Sequence, residues 1–129
     1  MTCFLIDDDA DDREIFRMAL QALDSSIELV TASNGTQALE KLNSEDLTPD
    51  YIFLDLNMPY MSGKECLIRM REIKRLKNIP IILCSAIQYF EELTSYGASG
   101  FITKQNSVPA LTLVLAAEMK LPKKSRELH

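Results

Sequence analysis

Four short apolar runs each end on a residue type that handles phosphate or a divalent cation. Phe4-Leu5-Ile6 ends at Asp7-Asp8, Tyr51 to Leu54 at Asp55, Ile81 to Cys84 at Ser85, and Phe101-Ile102-Thr103 at Lys104. Mg²⁺ takes oxygen ligands in near-octahedral geometry, keeps several waters, and is usually held by one or two carboxylates plus phosphate. Asp8 and Asp55 suit direct ligation and Asp7 ligation through water, while the Asn57 backbone carbonyl adds an oxygen from the loop after Asp55. An aspartate can also attack phosphorus to form an aspartyl phosphate. Asp55 suits that role because it ends its run alone, whereas Asp7 and Asp8 share one strand end. Lys104 and Ser85 would then offer an ammonium and a hydroxyl to the phosphoryl oxygens.

These groups meet only if the runs are neighbouring parallel strands, whose carboxyl ends face the crevice where open α/β sheets bind ligands. Short apolar runs alternating with helical periodicity predict such βαβ units. Strands are expected near 3–7, 27–31, 50–55, 79–85 and 100–104, with five helices. The first helix, about 12–23, places Ile15, Ala19, Ala22 and Leu23 at helical spacing. Ala38, Leu39 and Leu42 mark the second; Cys66, Leu67, Met70 and Ile73 mark the third, which starts near Gly63. The fourth, around 88–96, is stopped by Gly97. Ser107 caps the fifth, Pro109 occupies its first turn, Leu111, Leu115 and Met119 form its stripe, and Pro122 ends it. Leu113 and Val114 widen that stripe, which fits a homodimer or partner surface, or equally a core helix with scattered exposed leucines.

At 129 residues the chain is one domain, and 47% hydrophobic with 26% charged residues describes a globular protein. A net charge of -5 argues against nonspecific binding to nucleic acid or anionic membrane. Asp7, Asp8, Asp9, Asp11 and Asp12 crowd one loop, where like charges repel unless a cation lies among them. Arg69, Arg71, Lys74, Arg75 and Lys77 form a later basic stretch that reads as solvated surface. Cys3, Cys66 and Cys84 are odd in number and widely spaced, so reduced thiols of a cytoplasmic protein are expected. The lone histidine, His129, is terminal, which excludes Ser-His-Asp and Cys-His catalysis. No apolar run approaches membrane-spanning length.

The ordered set resembles the receiver domains of two-component response regulators. FLIDDDADDRE is similar to their acidic first loop, and YIFLDLNMPYMSG to their phosphoacceptor segment, with Met58-Pro59 and Gly63 in place. IILCSA is similar to the strand ending in the hydroxyl residue, and GASGFITK to the segment bearing an aromatic switch residue and the lysine. The resemblance, to chemotaxis regulators among others, implies a doubly wound, flavodoxin-like fold of five parallel strands in the order 2-1-3-4-5. It implies Asp55 as phosphoacceptor, Mg²⁺ held by Asp7, Asp8, Asp55 and Asn57, Ser85 and Lys104 on the phosphoryl group, and Ser85 with Phe101 as the switch. It also implies a histidine kinase or phosphotransfer protein as donor, and a downstream protein on the face of the fourth helix, fifth strand and fifth helix. Asn57 and Ile87 fall where the family tunes dephosphorylation.

One departure stands out. The family usually places proline, often in a cis peptide, after its lysine, and here Gln105 follows Lys104. A cis bond before a non-proline residue costs about 3 kcal/mol, so a trans loop of different shape is expected. Residues 1–122 are read as the receiver domain and 123–129 as a flexible tail; with no room for an effector after Lys104, a stand-alone or excised receiver is expected. Two rivals remain on the residues alone. A haloacid-dehalogenase-type phosphatase needs an aspartate where Asn57 stands, and a non-phosphorylated pseudo-receiver is kept open by Gln105.

Overall fold

The computed structural model describes residues 1–44, 46–58, 61–86 and 91–120, without the side chains of 91 and 92. Elements alternate along the chain as β1 (Thr2–Ile6), α1 (Ala10–Leu23), β2 (Glu28–Ala32), α2 (Gly35–Asn43), β3 (Tyr51–Asp55), α3 (Gly63–Arg71), β4 (Ile81–Ser85), α4 (Glu91–Thr94), β5 (Gly100–Thr103) and α5 (Val108–Glu118). A 3-10 turn, Lys74–Leu76, joins α3 to β4. The strands are all parallel and lie in the order β2-β1-β3-β4-β5, as expected.

Near-continuous apolar strands suit a parallel sheet covered on both faces. Alternate residues serve the two sides. Cys3, Leu5, Phe53, Ile82 and Cys84 pack with α1 and α5 through Phe16, Leu20, Leu111 and Leu115. Phe4, Ile6, Ile52, Leu54 and Leu83 pack with α2 and α3 through Leu42, Leu67 and Met70.

Helix starts follow from short polar side chains. Asp9, Asn34, Ser62 and Ser107 each accept a backbone N–H from the first turn of α1, α2, α3 and α5. Some expectations shift. The Asp9 cap starts α1 two residues early, and Phe16, Ala19, Leu20 and Leu23 form its buried side while Ala22 is exposed. Helix α5 ends at Glu118, before Pro122, with Lys120 at φ 56°, so a left-handed residue follows the helix end. Ile87, Pro59, the start of the expected fourth helix and the expected tail lie outside the described residues.

Candidate functional site

The register carries the strand ends to one edge. Leu54 lies beside Ile6, Asp55 beside Cys84, and Ser85 beside Thr103, so Asp7, Asp55, Ser85 and Lys104 finish four neighbouring strands. Backbone bonds extend the ladder past the strands: Asp7 N–H donates to Ala32 O at 3.0 Å and Lys104 N–H to Ser85 O at 2.7 Å. Asp7, Asp55 and Ser85 are the buried polar residues among those described, at 3%, 1% and 4% exposure. Burying polar groups is costly without partners, which makes their clustering at one sheet edge informative.

Oxygens of Asp7, Asp8 and Asp55 lie within 4.8 Å of one another. The Lys104 ammonium sits 3.0 Å from Asp12, 3.2 Å from Asp55 and 3.3 Å from Asp7. Asp9 N–H donates to Asp7 Oδ1 at 2.9 Å and Asn57 N–H to Asp55 Oδ1 at 3.1 Å, leaving the other carboxylate oxygens toward Lys104. Burial pushes the Asp7 carboxyl up to about 6, although the Asp9 N–H and Lys104 oppose it. Burial likewise raises Asp55 against the Asn57 N–H and Lys104. Burial lowers Lys104, but Asp12, Asp7 and Asp55 outweigh it and hold the ammonium above its ordinary value. It therefore stays charged.

Three carboxylates thus face one ammonium, a fourth, Asp8, lies beside two of them, and the cluster is short of positive charge. The Asp7, Asp8 and Asp55 donors are all oxygens, which suits a hard cation such as Mg²⁺ and excludes a thiolate-type zinc site. The thiols are structural: Cys3, Cys66 and Cys84 are buried and free, and burial pushes Cys3 and Cys66 up to about 12.

The fold brings Asp7, Asp8, Asp55 and Lys104 together and ends β4 on Ser85, while Phe101 lies half-buried against the α2/α3 side of the core with its β4 neighbour Leu83. Sequence reasoning missed Asp12, the nearest carboxylate to Lys104, and Arg13, whose guanidinium donates to Asp7 O at 2.7 Å. The spacing of Asp12 one turn past Asp8 was the available signal. It also missed why Gly63 stands where it does: a Cβ there would lie 2.6 Å from Leu56 Cα and 2.8 Å from Asp55 O. That close approach seats the start of α3 against the Asp55 loop. No cis peptide occurs among the described residues, so Lys104 reaches the site from a trans loop.

The sequence model of the response regulator receiver domain matches residues 3–116. The chain belongs to that family. As a two-component receiver domain it is 35% identical over 119 residues to the sensor histidine kinase CheAY of Helicobacter pylori, covering 90% of this chain and 15% of that protein. It likewise spans 35% and 55% of two other curated relatives. Among solved structures, this receiver domain is similar to the chemotaxis response regulator CheY4 of Vibrio cholerae, with 27% identity, 90% and 96% coverage and a TM-score of 0.77. It is also similar to the response regulator TrrA of Thermotoga maritima in complex with Mg²⁺-BeF, with 30% identity, 90% and 96% coverage and a TM-score of 0.72. No helix among the described residues is long and apolar enough to cross a membrane.

Proposed function

We propose that this receiver domain is phosphorylated on Asp55 by a histidine kinase or a phosphotransfer protein, and that phosphorylation alters a protein-binding face. The observation that supports this most is the placement of Asp55. It is a buried carboxylate at a strand end, within ligand distance of Asp7 and Asp8 and 3.2 Å from a lysine ammonium. An Asp55 oxygen attacks phosphorus, the P–N bond of the donor phosphohistidine breaks, and its electron pair leaves with the imidazole. Lys104 stabilises charge on the phosphoryl oxygens and Ser85 donates its hydroxyl to them. Bound by Asp7, Asp8, Asp55 and the Asn57 carbonyl, Mg²⁺ supplies further charge stabilisation, in keeping with the Mg²⁺-BeF complex of TrrA.

Ser85 and Phe101 lie on adjacent strands, so movement of Ser85 toward a phosphoryl group changes the space beside Phe101. On this reading α4, β5 and α5 then repack as one of two populated arrangements, presenting a changed surface to a downstream protein or a second copy. The domain works in the cytoplasm as a phosphoacceptor that catalyses its own phosphorylation and dephosphorylation, with no direct nucleic-acid or membrane contact. Exposed Asn57 stands where a dehalogenase-type phosphatase needs an acid, and nothing favours that alternative.

Incubation with acetyl phosphate and Mg²⁺ tests the proposal. Wild type gains one phosphoryl group by intact mass, and Asp55→Asn gains none. An unmodified wild type, or equal labelling of both, overturns it.

A further inference from the structure

The ammonium that faces Asp55 has another carboxylate partner outside the triad. Asp12, in the first turn of α1, accepts a hydrogen bond from Lys104 Nζ at 3.0 Å across 92 residues of sequence, its carboxylate partly exposed at 38%. Phe16, Ile102 and Leu111 line a cavity together with Lys104, Gln105 and the carboxylates of Asp7 and Asp12. Those apolar walls offer the ammonium no polar hold. Gln105 donates its side-chain amide nitrogen to Thr103 O at 2.8 Å, and the partners of the ammonium are the carboxylates of Asp7, Asp12 and Asp55. Lysine is a point charge on a flexible stem, so a cavity of this kind leaves its position to whichever carboxylates hold it.

We infer that Asp12 is a positioning residue for the phosphoryl chemistry, holding the Lys104 ammonium where it meets an oxygen of the group transferred to Asp55. This inference rests on the Asp55 reading above. Asp7 and Asp55 carry other duties in that chemistry: Asp7 faces the cation site, and Asp55 changes charge and shape when its oxygen is esterified. Asp12 contacts Lys104 yet lies outside the carboxylate triad, so it holds the ammonium in the same place before and after transfer. With acetyl phosphate as donor, the P–O bond to acetate breaks as the Asp55 oxygen bonds phosphorus, and acetate leaves with the electron pair. Lys104 stays protonated throughout and moves no proton.

Rates of phosphorylation by acetyl phosphate at saturating Mg²⁺, measured across donor concentrations, test the assignment. Asp12→Ala is expected to lower the maximal rate about tenfold while the half-saturating donor concentration moves by less than about twofold, since orientation and not encounter is lost. Asp12→Glu restores most of the rate. In a Lys104→Ala background the Asp12→Ala change has no further effect, because its influence passes through the missing ammonium. NMR order parameters of the Lys104 side chain, taken without donor, fall in Asp12→Ala. An unchanged maximal rate, an effect that persists in the Lys104→Ala background, or an unchanged Lys104 order parameter overturns the assignment and leaves the Asp55 reading standing. A wild type that takes no phosphate overturns both.

Discussion

Replacing Asp7 with asparagine should stabilise the protein in the absence of divalent cations. The Asp7 side chain is buried, and its carboxyl is raised from an ordinary 3.8 to about 6. The folded state therefore binds this proton more tightly than the unfolded state does. Below pH 3.8 both states are protonated and nothing is lost. As pH rises from about 4 to about 6 the folded protein must give up a proton it holds better, so stability falls, and above about 6 the loss is complete. The full cost at pH 7 is about 3 kcal/mol. The side-chain amide of Asp7→Asn keeps an oxygen for the Asp9 N–H, which Asp7 accepts at 2.9 Å, but gives up the ion pair with Lys104 at 3.3 Å. That pairing is already contained in the raised value, so a gain of up to about 3 kcal/mol is expected, or roughly 10 °C in Tm for a chain of this size. Thermal melts followed by circular dichroism, with chelator, between pH 4 and pH 8 measure it. Wild type should lose stability across the acid range, and Asp7→Asn should show a shallower slope, what remains coming from Asp55, which burial also raises. Added Mg²⁺ should raise the Tm of wild type at pH 7.5 and leave the variant unmoved. A variant less stable than wild type at pH 7 would refute the view that burial, and not pairing with Lys104, dominates the energetics of Asp7.

Two further substitutions probe what positions the site. Gly63→Ala places a Cβ within 2.6 Å of Leu56 Cα and 2.8 Å of Asp55 O, both backbone atoms, so a loss of about 1–3 kcal/mol is expected in chemical denaturation, with slower Asp55 phosphorylation. Arg71→Ala removes guanidinium bonds to Gly97 O at 2.9 Å, Leu76 O at 2.7 Å and Ser99 Oγ at 3.2 Å. A cost of about 2–3 kcal/mol is expected, with faster amide exchange at Ala98 to Gly100; unchanged protection there would show that the loop before β5 does not depend on this arginine.

The strand order and the convergence of Asp7, Asp55, Ser85 and Lys104 were legible because a parallel sheet buried on both faces writes itself as continuous apolar runs. The ends of those runs named the site. The basic stretch was less legible. Read as solvated surface, it includes Arg71, which ties α3 to the loop before β5, and Arg75, whose guanidinium donates to Leu47 O at 2.8 Å. Both bonds join backbone carbonyls far away in sequence, and a carbonyl leaves no mark in the amino-acid code. Charge periodicity alone could not separate these two arginines from their exposed neighbours Lys74 and Lys77.

The acidic run shows the same boundary from inside the site. Five aspartates in six positions look equivalent as a sequence, yet the fold divides their work. Asp7 and Asp8 face the cation site with Asp55, Asp9 accepts the N–H groups of Asp11 and Asp12 to start α1, Asp11 is exposed in its first turn, and Asp12 holds Lys104. The division hinges on where the helix begins. A start at Asp12, as periodicity suggested, would make Asp11 the cap and leave Asp9 in the preceding loop. Starting α1 at Ala10 gives the capping role to Asp9 and turns Asp12 toward the sheet edge, free to meet a lysine 92 residues later. A shift of two residues in one helix boundary thus decides which of five like aspartates caps the helix, and apolar periodicity, which sets a helix's face well and its ends poorly, carries no information at that resolution.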